Sequence, residues 1–312
     1  MKIQLSQIDI DKYEKIRSDL KEFLKIIFWK SFEEYTNAPH LDNWADQLQN
    51  YKNTAILSAR KHLKSTVIYA FLMWLIYTIR DKNIEILYLS FKEDLARYHV
   101  ANIKKLIRSN ELFKDVQDLT NADSEIRYSW SDIQYEKLKH QITVHPAGIL
   151  SFKRGYHPDI VIADDILADP SQELNLTIID KINRIFFEDV MSLPKEGGEI
   201  KLVGTAQHQE DLFFKLKERK NWSWSNNPAI LNELNKQTLW PELFSFERLM
   251  QIRDEEIGEK AFQKEYMCSP VWTEDAYFKR EDIINVIDFK LTNIQHIGEE
   301  VQVICGLDIG KS

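Results

Sequence analysis

The sequence predicts an α/β protein whose sheet is mainly parallel and covered by helices on both faces. Three observations predict it. Four short runs, TAILS (54–58), EILYLS (85–90), DIVIADD (159–165) and EIKLVGT (199–205), are continuously apolar rather than alternating, as strands buried on both faces are. Stretches with helical spacing lie between them, so strand and helix alternate along the chain. Lys64, Ser65, Ser90, Asp164, Asp165 and Thr205 gather at or just after the carboxyl ends of those runs, where ligands bind in open parallel sheets.

The elements follow in order. Residues 2–35 place apolar side chains three and four apart, which predicts helix, and NAPH (37–40) breaks the pattern. LDNWADQLQN predicts a second helix, TAILS the first strand, and residues 65–80 a helix. The apolar part of that helix, Val67–Ile79, is shorter than the ~20 residues of a membrane span. It is apolar all round, as a helix inside a core is, so no membrane partner is expected. EILYLS is the second strand, and residues 92–108 form a long amphipathic helix. Residues 110–140 read as polar and irregular. QITVHPAGILSF (141–152) alternates and is broken by Pro146 and Gly148, which predicts a hairpin. A helix over 175–192, the fourth strand, and a helix from DLFFKLKERK (211–220) complete the pattern.

Composition bounds the function. The 312 residues suffice for one large domain or two modest ones, and 44% hydrophobic with 29% charged residues is ordinary for a soluble protein. A net charge of −8 argues against a chain that holds nucleic acid by bulk attraction. Two cysteines, Cys268 and Cys305, without metal-type spacing, fit a reducing cytoplasm. The first 20 residues are too charged for a signal peptide.

The chemistry gathers at the strand ends. TAILSARKHLKST (54–66) lies on the frame of the phosphate loop G-x-x-x-x-G-K-[ST], with Ser58 and Leu63 in the glycine places and Lys64 and Ser65 in their own. Glycine eases unusual dihedrals, whereas the chemical groups are backbone N–H donors, a helix N-terminus, a lysine and a hydroxyl. Residues Ser58, Ala59, Arg60, Lys61, His62, Leu63, Lys64, Ser65 and Thr66 are the expected nucleotide cradle. The alternative is a helix that happens to begin with a basic residue. Leu63 is expected to take ordinary dihedrals, or modest strain relieved when nucleotide binds.

DIVIADD delivers Asp164 and Asp165 to the sheet edge, where one carboxylate holds Mg²⁺ and its neighbour polarises the attacking water. Two turn aspartates are the alternative. GTAQH (204–208) offers a hydroxyl or amide that senses the γ-phosphate, or an ordinary turn. In FKRGYHPD (152–159), Arg154 is placed to reach a nucleotide on a neighbouring subunit, or is a surface arginine beside a turn glycine.

Together these segments resemble the large terminase subunit, the ATPase motor of tailed-phage DNA packaging. The resemblance rests on ARKHLKST, LYLSFKEDLARYHVANIKKLI (87–107), ILSFKRGYHPDIVIADD (149–165), KLVGTAQHQEDLF (201–213) and LWPELFSFERLMQIRDEEIGEKAFQKEYMCSPV (239–271), and covers about residues 40–275 in the family's order. It implies a RecA-like (ASCE) P-loop NTPase fold using ATP and Mg²⁺. Lys64 then contacts phosphate, and Ser65 or Thr66 together with Asp164 attends the metal. Asp165 takes the catalytic carboxylate place, usually glutamate, Arg154 acts in trans, and Thr205 belongs to the coupling motif. Implied partners are double-stranded DNA, the portal ring, the small terminase subunit and further copies of the chain, in the cytoplasm of an infected host.

The resemblance also sets the expected domains: a helical segment 1–50, an ATPase core 51–272 with a lid-like C-terminal part, a linker 273–300, and at 301–312 the first strand of an RNase H-like nuclease carrying the metal residue Asp308. The other readings are a different RecA-like translocase or helicase, or a non-catalytic adaptor with a degenerate loop. Trp29, Trp44 and Gln47 are candidates for the adenine contact, and FFKLKERKNWSW (213–224) and KKLIR (104–108) for DNA contact or solvated helix faces.

Overall fold

The computed structural model describes residues 14–28, 38–130, 140–167 and 176–270. The chain divides into two compact units, Met1–Val271 and Trp272–Ser312. The second unit, and with it Cys305, Asp308 and the expected linker and nuclease strand, lies outside the described residues, as does Trp29.

An eight-stranded sheet organises the first unit, in the order β3-β4-β5-β2-β6-β7-β1-β8. Its strands are β1 (Asn53–Ser58), β2 (Ile84–Ser90), β3 (Val116–Asp118), β4 (Ile126–Trp130), β5 (Gln141–Gly148), β6 (Ile160–Asp164), β7 (Glu199–Gly204) and β8 (Ser223–Asn227). Every pairing from β5 through β8 is parallel, and β3 and β4 add an antiparallel edge. One strand, β7, lies between β1 and β6. That insertion between the loop strand and the carboxylate strand is the mark of a RecA-like (ASCE) fold, and it bears out the predicted fold class.

Side-chain alternation divides the sheet. Ile56, Tyr88, Ile162 and Val203 pack into one core with the helices α1 (Leu20–Phe23), α2 (Pro39–Asn50) and α3 (Lys64–Thr78). Leu57, Leu89, Ala163 and Leu202 face the other core, with Ile182 and Phe186 of α5 (Leu176–Glu188) and Leu212 of α6 (Leu212–Lys217). Each fully buried large apolar side chain contributes roughly 1.5–3 kcal/mol. The helix α3 buries residues on every side, as its sequence requires. By contrast α4 (Glu93–Arg108) buries one stripe, with Ala96, Val100, Ile103 and Ile107 inward. A third, smaller core joins Ala59 to Ala229, Ile230 and Phe244 and to side chains of α7 (Phe246–Gln251) and α8 (Gly258–Glu265).

Three sequence expectations are corrected. Residues 110–140 are not simply irregular, because Ile126, Tyr128 and Trp130 of β4 alternate inward, and β4 pairs with β5 through Ile126 to Ser129 and with β3 through Trp130. Residues 141–152 are not a hairpin. Gln141–Gly148 runs as one strand parallel to β2, and its antiparallel partner is β4. Pro146 is tolerated because the β4 ladder stops at Val144, leaving β5 paired on one side where a missing donor costs little. Of the predicted helix 2–35, residues 14–18 and α1 are helical, and Leu24–Phe28 forms a π turn.

Candidate active site

The loop after β1 is built without glycine. Leu63 caps α3 in the left-handed region (φ 68°, ψ 26°), and Lys61 shares that region (φ 63°). Ordinary dihedrals at Leu63 are therefore ruled out. A left-handed non-glycine residue costs roughly 1–2 kcal/mol, and several contacts offset it. The Leu63 side chain packs against the core and its carbonyl accepts from Val67 N at 3.0 Å. Ala59 N donates to Asn227 O at 3.0 Å, and Arg60 N to Glu265 O at 2.7 Å. Ser58 Oγ donates to Asn227 O at 3.3 Å.

His62 anchors the middle of the loop. Its buried ring stacks on Phe244 at 4.9 Å, and its Nδ1 lies 2.9 Å from Arg60 O. Burial pulls both His62 and the adjoining His40 down to about 4, so both imidazoles are neutral at physiological pH. His40 Nε2 is 3.4 Å from His62 O, which ties the loop to α2.

Lys64 lies inside this frame, only 7% exposed, with Nζ donating to Ser58 O (3.1 Å) and Ala59 O (3.0 Å). One residue on, Ser65 Oγ donates to Asp164 Oδ1 at 3.0 Å, and Thr66 is half-buried in the same turn. The other oxygen of Asp164 accepts from Tyr88 OH at 2.6 Å. Asp164 is fully buried, and burial pushes its carboxyl upward. The neighbouring Asp165 adds to that shift, while His99 and the two hydroxyl donors oppose it.

Asp165 follows in the left-handed region (φ 48°), a conformation aspartate tolerates. Its amide donates to Val203 O at 3.0 Å and its Oδ1 accepts from Thr205 N at 3.1 Å. Gly204 permits this approach, because a Cβ there would stand 3.1 Å from Asp165 Oδ1 and 3.0 Å from the Phe213 ring. Loop 204–208 is held at its far end by Asp211, whose Oδ2 accepts from Gln207 N (2.9 Å) and whose Oδ1 caps α6 by accepting from Phe213 N (3.1 Å). Thr205 is thus slung between the two aspartates.

Asp211 carries a prediction. Burial pushes its carboxyl up to about 6, against the opposing pull of its backbone donors. The folded chain therefore holds this proton more tightly than the unfolded chain, and the group's contribution to stability falls as pH rises from the ordinary carboxylate range to about 6. Asp211→Asn keeps one of the two accepting oxygens, enough to cap α6, and is expected to flatten that slope in urea unfolding at stepped pH. Asp211→Ala removes the cap and is expected to cost roughly 1–2 kcal/mol.

The structure thus brings Lys64, Ser65, Asp164, Asp165 and Thr205 together at one edge. Ser90 ends β2 on the same edge, its Oγ buried without a hydrogen-bond partner among the described residues. Arg154 is 77% exposed and paired with Asp189 at 2.9 Å. Gln47 is committed elsewhere, donating to Ser223 Oγ (3.0 Å) and accepting from Ser225 Oγ (2.9 Å), and Trp44 is buried against His40.

The two basic stretches read differently in three dimensions. Lys104 is 1% exposed, with Nζ on the carbonyls of Thr120, Ala122 and Glu125 and 2.9 Å from Asp118, so it is a structural cation. In 213–224, Phe213 and Trp222 are buried and Ser223 opens β8. Sequence reasoning missed Tyr88, inside an apolar strand run. It also missed Asp211, although an aspartate before LFFKLK is a legible N-cap signal. Among the described residues, no group of three or more His, Cys, Asp or Glu is placed to hold a metal by itself, and no helix is long and apolar enough to cross a membrane.

The sheet order defines the class as a RecA-like α/β fold. No family model matches the sequence. Over 249 residues, 78% of this chain, the sequence is 24% identical to the terminase large subunit of Enterobacteria phage T3. The chain spans 41% of that relative's length. Among solved structures, a mutant of the Thermus phage P74-26 large terminase ATPase domain superposes with a TM-score of 0.51 at 14% identity, covering 76% of this chain and 95% of that one. At that identity the likeness is one of fold. The large terminase of a thermophilic bacteriophage in complex with ATP-gamma-S gives a TM-score of 0.45 at 11% identity, over 83% of this chain and 52% of that one. The resemblance to phage large terminase subunits read from the sequence is borne out.

Proposed function

We propose that this chain is the ATPase region of a viral packaging motor that hydrolyses ATP to drive double-stranded DNA into a procapsid. The observation that carries the reading is the 3.0 Å hydrogen bond from Ser65 to Asp164, which joins the loop helix to the carboxylate strand. In phosphoryl transfer those two groups attend one Mg²⁺, an ion that takes one or two protein ligands and completes its shell with phosphates and water. Ser65 and Asp164 fit that need. Ser65 and Asp164 would hold Mg²⁺ there, where it would supply neutralising charge for the transferred phosphoryl group.

The protein groups divide the remaining tasks. Backbone N–H groups of residues 59–63 and the N-terminus of α3 receive phosphate oxygens. Lys64 exchanges the Ser58 and Ala59 carbonyls for phosphate. Asp165 accepts a proton from water as the water oxygen bonds to the γ-phosphorus and the bond to the ADP oxygen breaks, leaving ADP and inorganic phosphate. Thr205, joined to Asp165 through its amide, relays the change into loop 204–208. Arg154 leaves Asp189 to act on a neighbouring subunit's nucleotide. The terminase likeness supports the portal ring, the small subunit and ring assembly as partners, the infected cell's cytoplasm as location, and a nuclease following this region, with Asp308 on its first strand.

Calorimetric titration with ADP and a non-hydrolysable ATP analogue, with and without Mg²⁺, tests this. Mg²⁺-dependent binding and phosphate release from ATP are the expected results. Absence of Mg²⁺-dependent binding would replace the motor with a non-catalytic adaptor, and strand unwinding would replace it with a helicase.

A further inference from the structure

Asp164 stands in a closed ring of contacts that the nucleotide chemistry alone does not require. Ser65 and Tyr69 lie one turn apart on α3. Ser65 donates to one Asp164 oxygen and Tyr88 OH to the other, at 3.0 and 2.6 Å. The Tyr88 ring stacks on His99 with centroids 5.8 Å apart and planes at 26°. His99 Nδ1 lies 2.6 Å from Tyr69 OH, which closes the ring onto α3. Four elements, α3, β6, β2 and α4, therefore meet at one buried carboxylate.

The sheet register explains why Tyr88 can serve. It pairs with Ile162, so it shares the face of Ile162 and, two residues on, of Asp164. The phenol is wholly buried, and its hydroxyl donates to Asp164 Oδ2. A carboxylate turns freely about its last torsion unless both oxygens are engaged.

We propose that Tyr88 is a positioning residue for the metal-bearing carboxylate: by holding Oδ2 it keeps Oδ1 turned toward Ser65 and the ion, and the Tyr69–His99 pair holds the phenol in place. This inference rests on the proposed nucleotide site. Groups that orient a metal ligand from behind typically change metal affinity 10–100-fold when removed.

Tyr88→Phe removes the hydroxyl and keeps the ring on His99. The readouts are melting temperature, ADP affinity in EDTA, and the Mg²⁺ concentration that half-saturates the ADP-bound protein. The expected result is an unchanged ADP affinity in EDTA with a Mg²⁺ requirement raised about tenfold. An unchanged Mg²⁺ requirement in a folded Tyr88→Phe protein overturns the proposal and leaves the nucleotide site standing. A wild-type protein that shows no Mg²⁺ dependence overturns both. If Tyr88→Phe does not fold, Tyr69→Phe carries the test. It leaves the Asp164 hydrogen bond intact and frees His99, and it is expected to raise the Mg²⁺ requirement about threefold, part of the same loss. No shift there overturns the proposal.

Discussion

Lys64→Ala is expected to reduce ATP turnover by at least about 10²–10³-fold, the usual loss when one preorganised donor to a developing charge is removed. Phosphate release measures it, and turnover like that of the wild type would remove Lys64 from the site. The fold should survive. The ammonium rests on the carbonyls of Ser58 and Ala59 without a carboxylate partner in those contacts, so its loss strands no buried opposite charge. The loop remains tied through Ala59 N, Arg60 N and the buried His62 ring. A melting curve close to that of the wild type, beside lost turnover, separates a chemical role for Lys64 from a structural one.

Asp164→Asn is expected to abolish Mg²⁺-dependent nucleotide binding and at the same time to raise the melting temperature of the nucleotide-free protein. Burial disfavours the Asp164 carboxylate, whose two oxygens are met by hydroxyls and not by a cation. An amide of the same shape removes the buried charge. Ser65 and Tyr88 hydroxyls can accept as well as donate, so the contacts can be rebuilt. A gain of about 1 kcal/mol would raise the melting temperature of a chain this size by roughly 2–4 °C. Calorimetry reads the lost Mg²⁺ dependence and a thermal melt the gained stability. Unchanged Mg²⁺-dependent binding would remove the metal role from Asp164, and a lowered melting temperature would show that the carboxylate supports the fold.

Much of the sheet is legible because its central strands are buried on both faces. TAILS, EILYLS, DIVIADD and EIKLVGT each carry an apolar core between polar ends, and each becomes a strand with its polar C-terminal end at the site edge. Legibility fades with burial. The edge strand β8, SWSNN, is half-buried along most of its length and has no apolar run to announce it. Pro146 and Gly148 look like breakers, and only the sheet neighbours, β2 on one side and a β4 ladder ending at Val144, explain how they stand in β5. The polar residues that gather at the strand ends are readable by position. Their connections are not: nothing in the spacing says which carboxylate oxygen Tyr88 and Thr205 will meet, or which amides will meet Asp211. Lys104 and Lys201 illustrate the same limit. Nothing in the sequence says that these two charges are buried, Lys201 on Tyr51 O and Glu199, where a long stem lets the head group reach carbonyls across a core.

The place of β1 in the sheet has a consequence for synthesis. It is the first strand of the sheet to leave the ribosome, yet Asn53 must wait for Ile200, and Thr54 for Ser223, before either edge is paired. The Arg60 amide waits longer still, for the carbonyl of Glu265. A nascent chain therefore carries Lys64 and Ser65 long before it has a cradle to hold them in. A nucleotide at the proposed site acts as a folding ligand only once translation has passed the end of α8. Until then β1 and α3 form a long apolar stretch with unfilled strand edges, the kind of intermediate that chaperones protect.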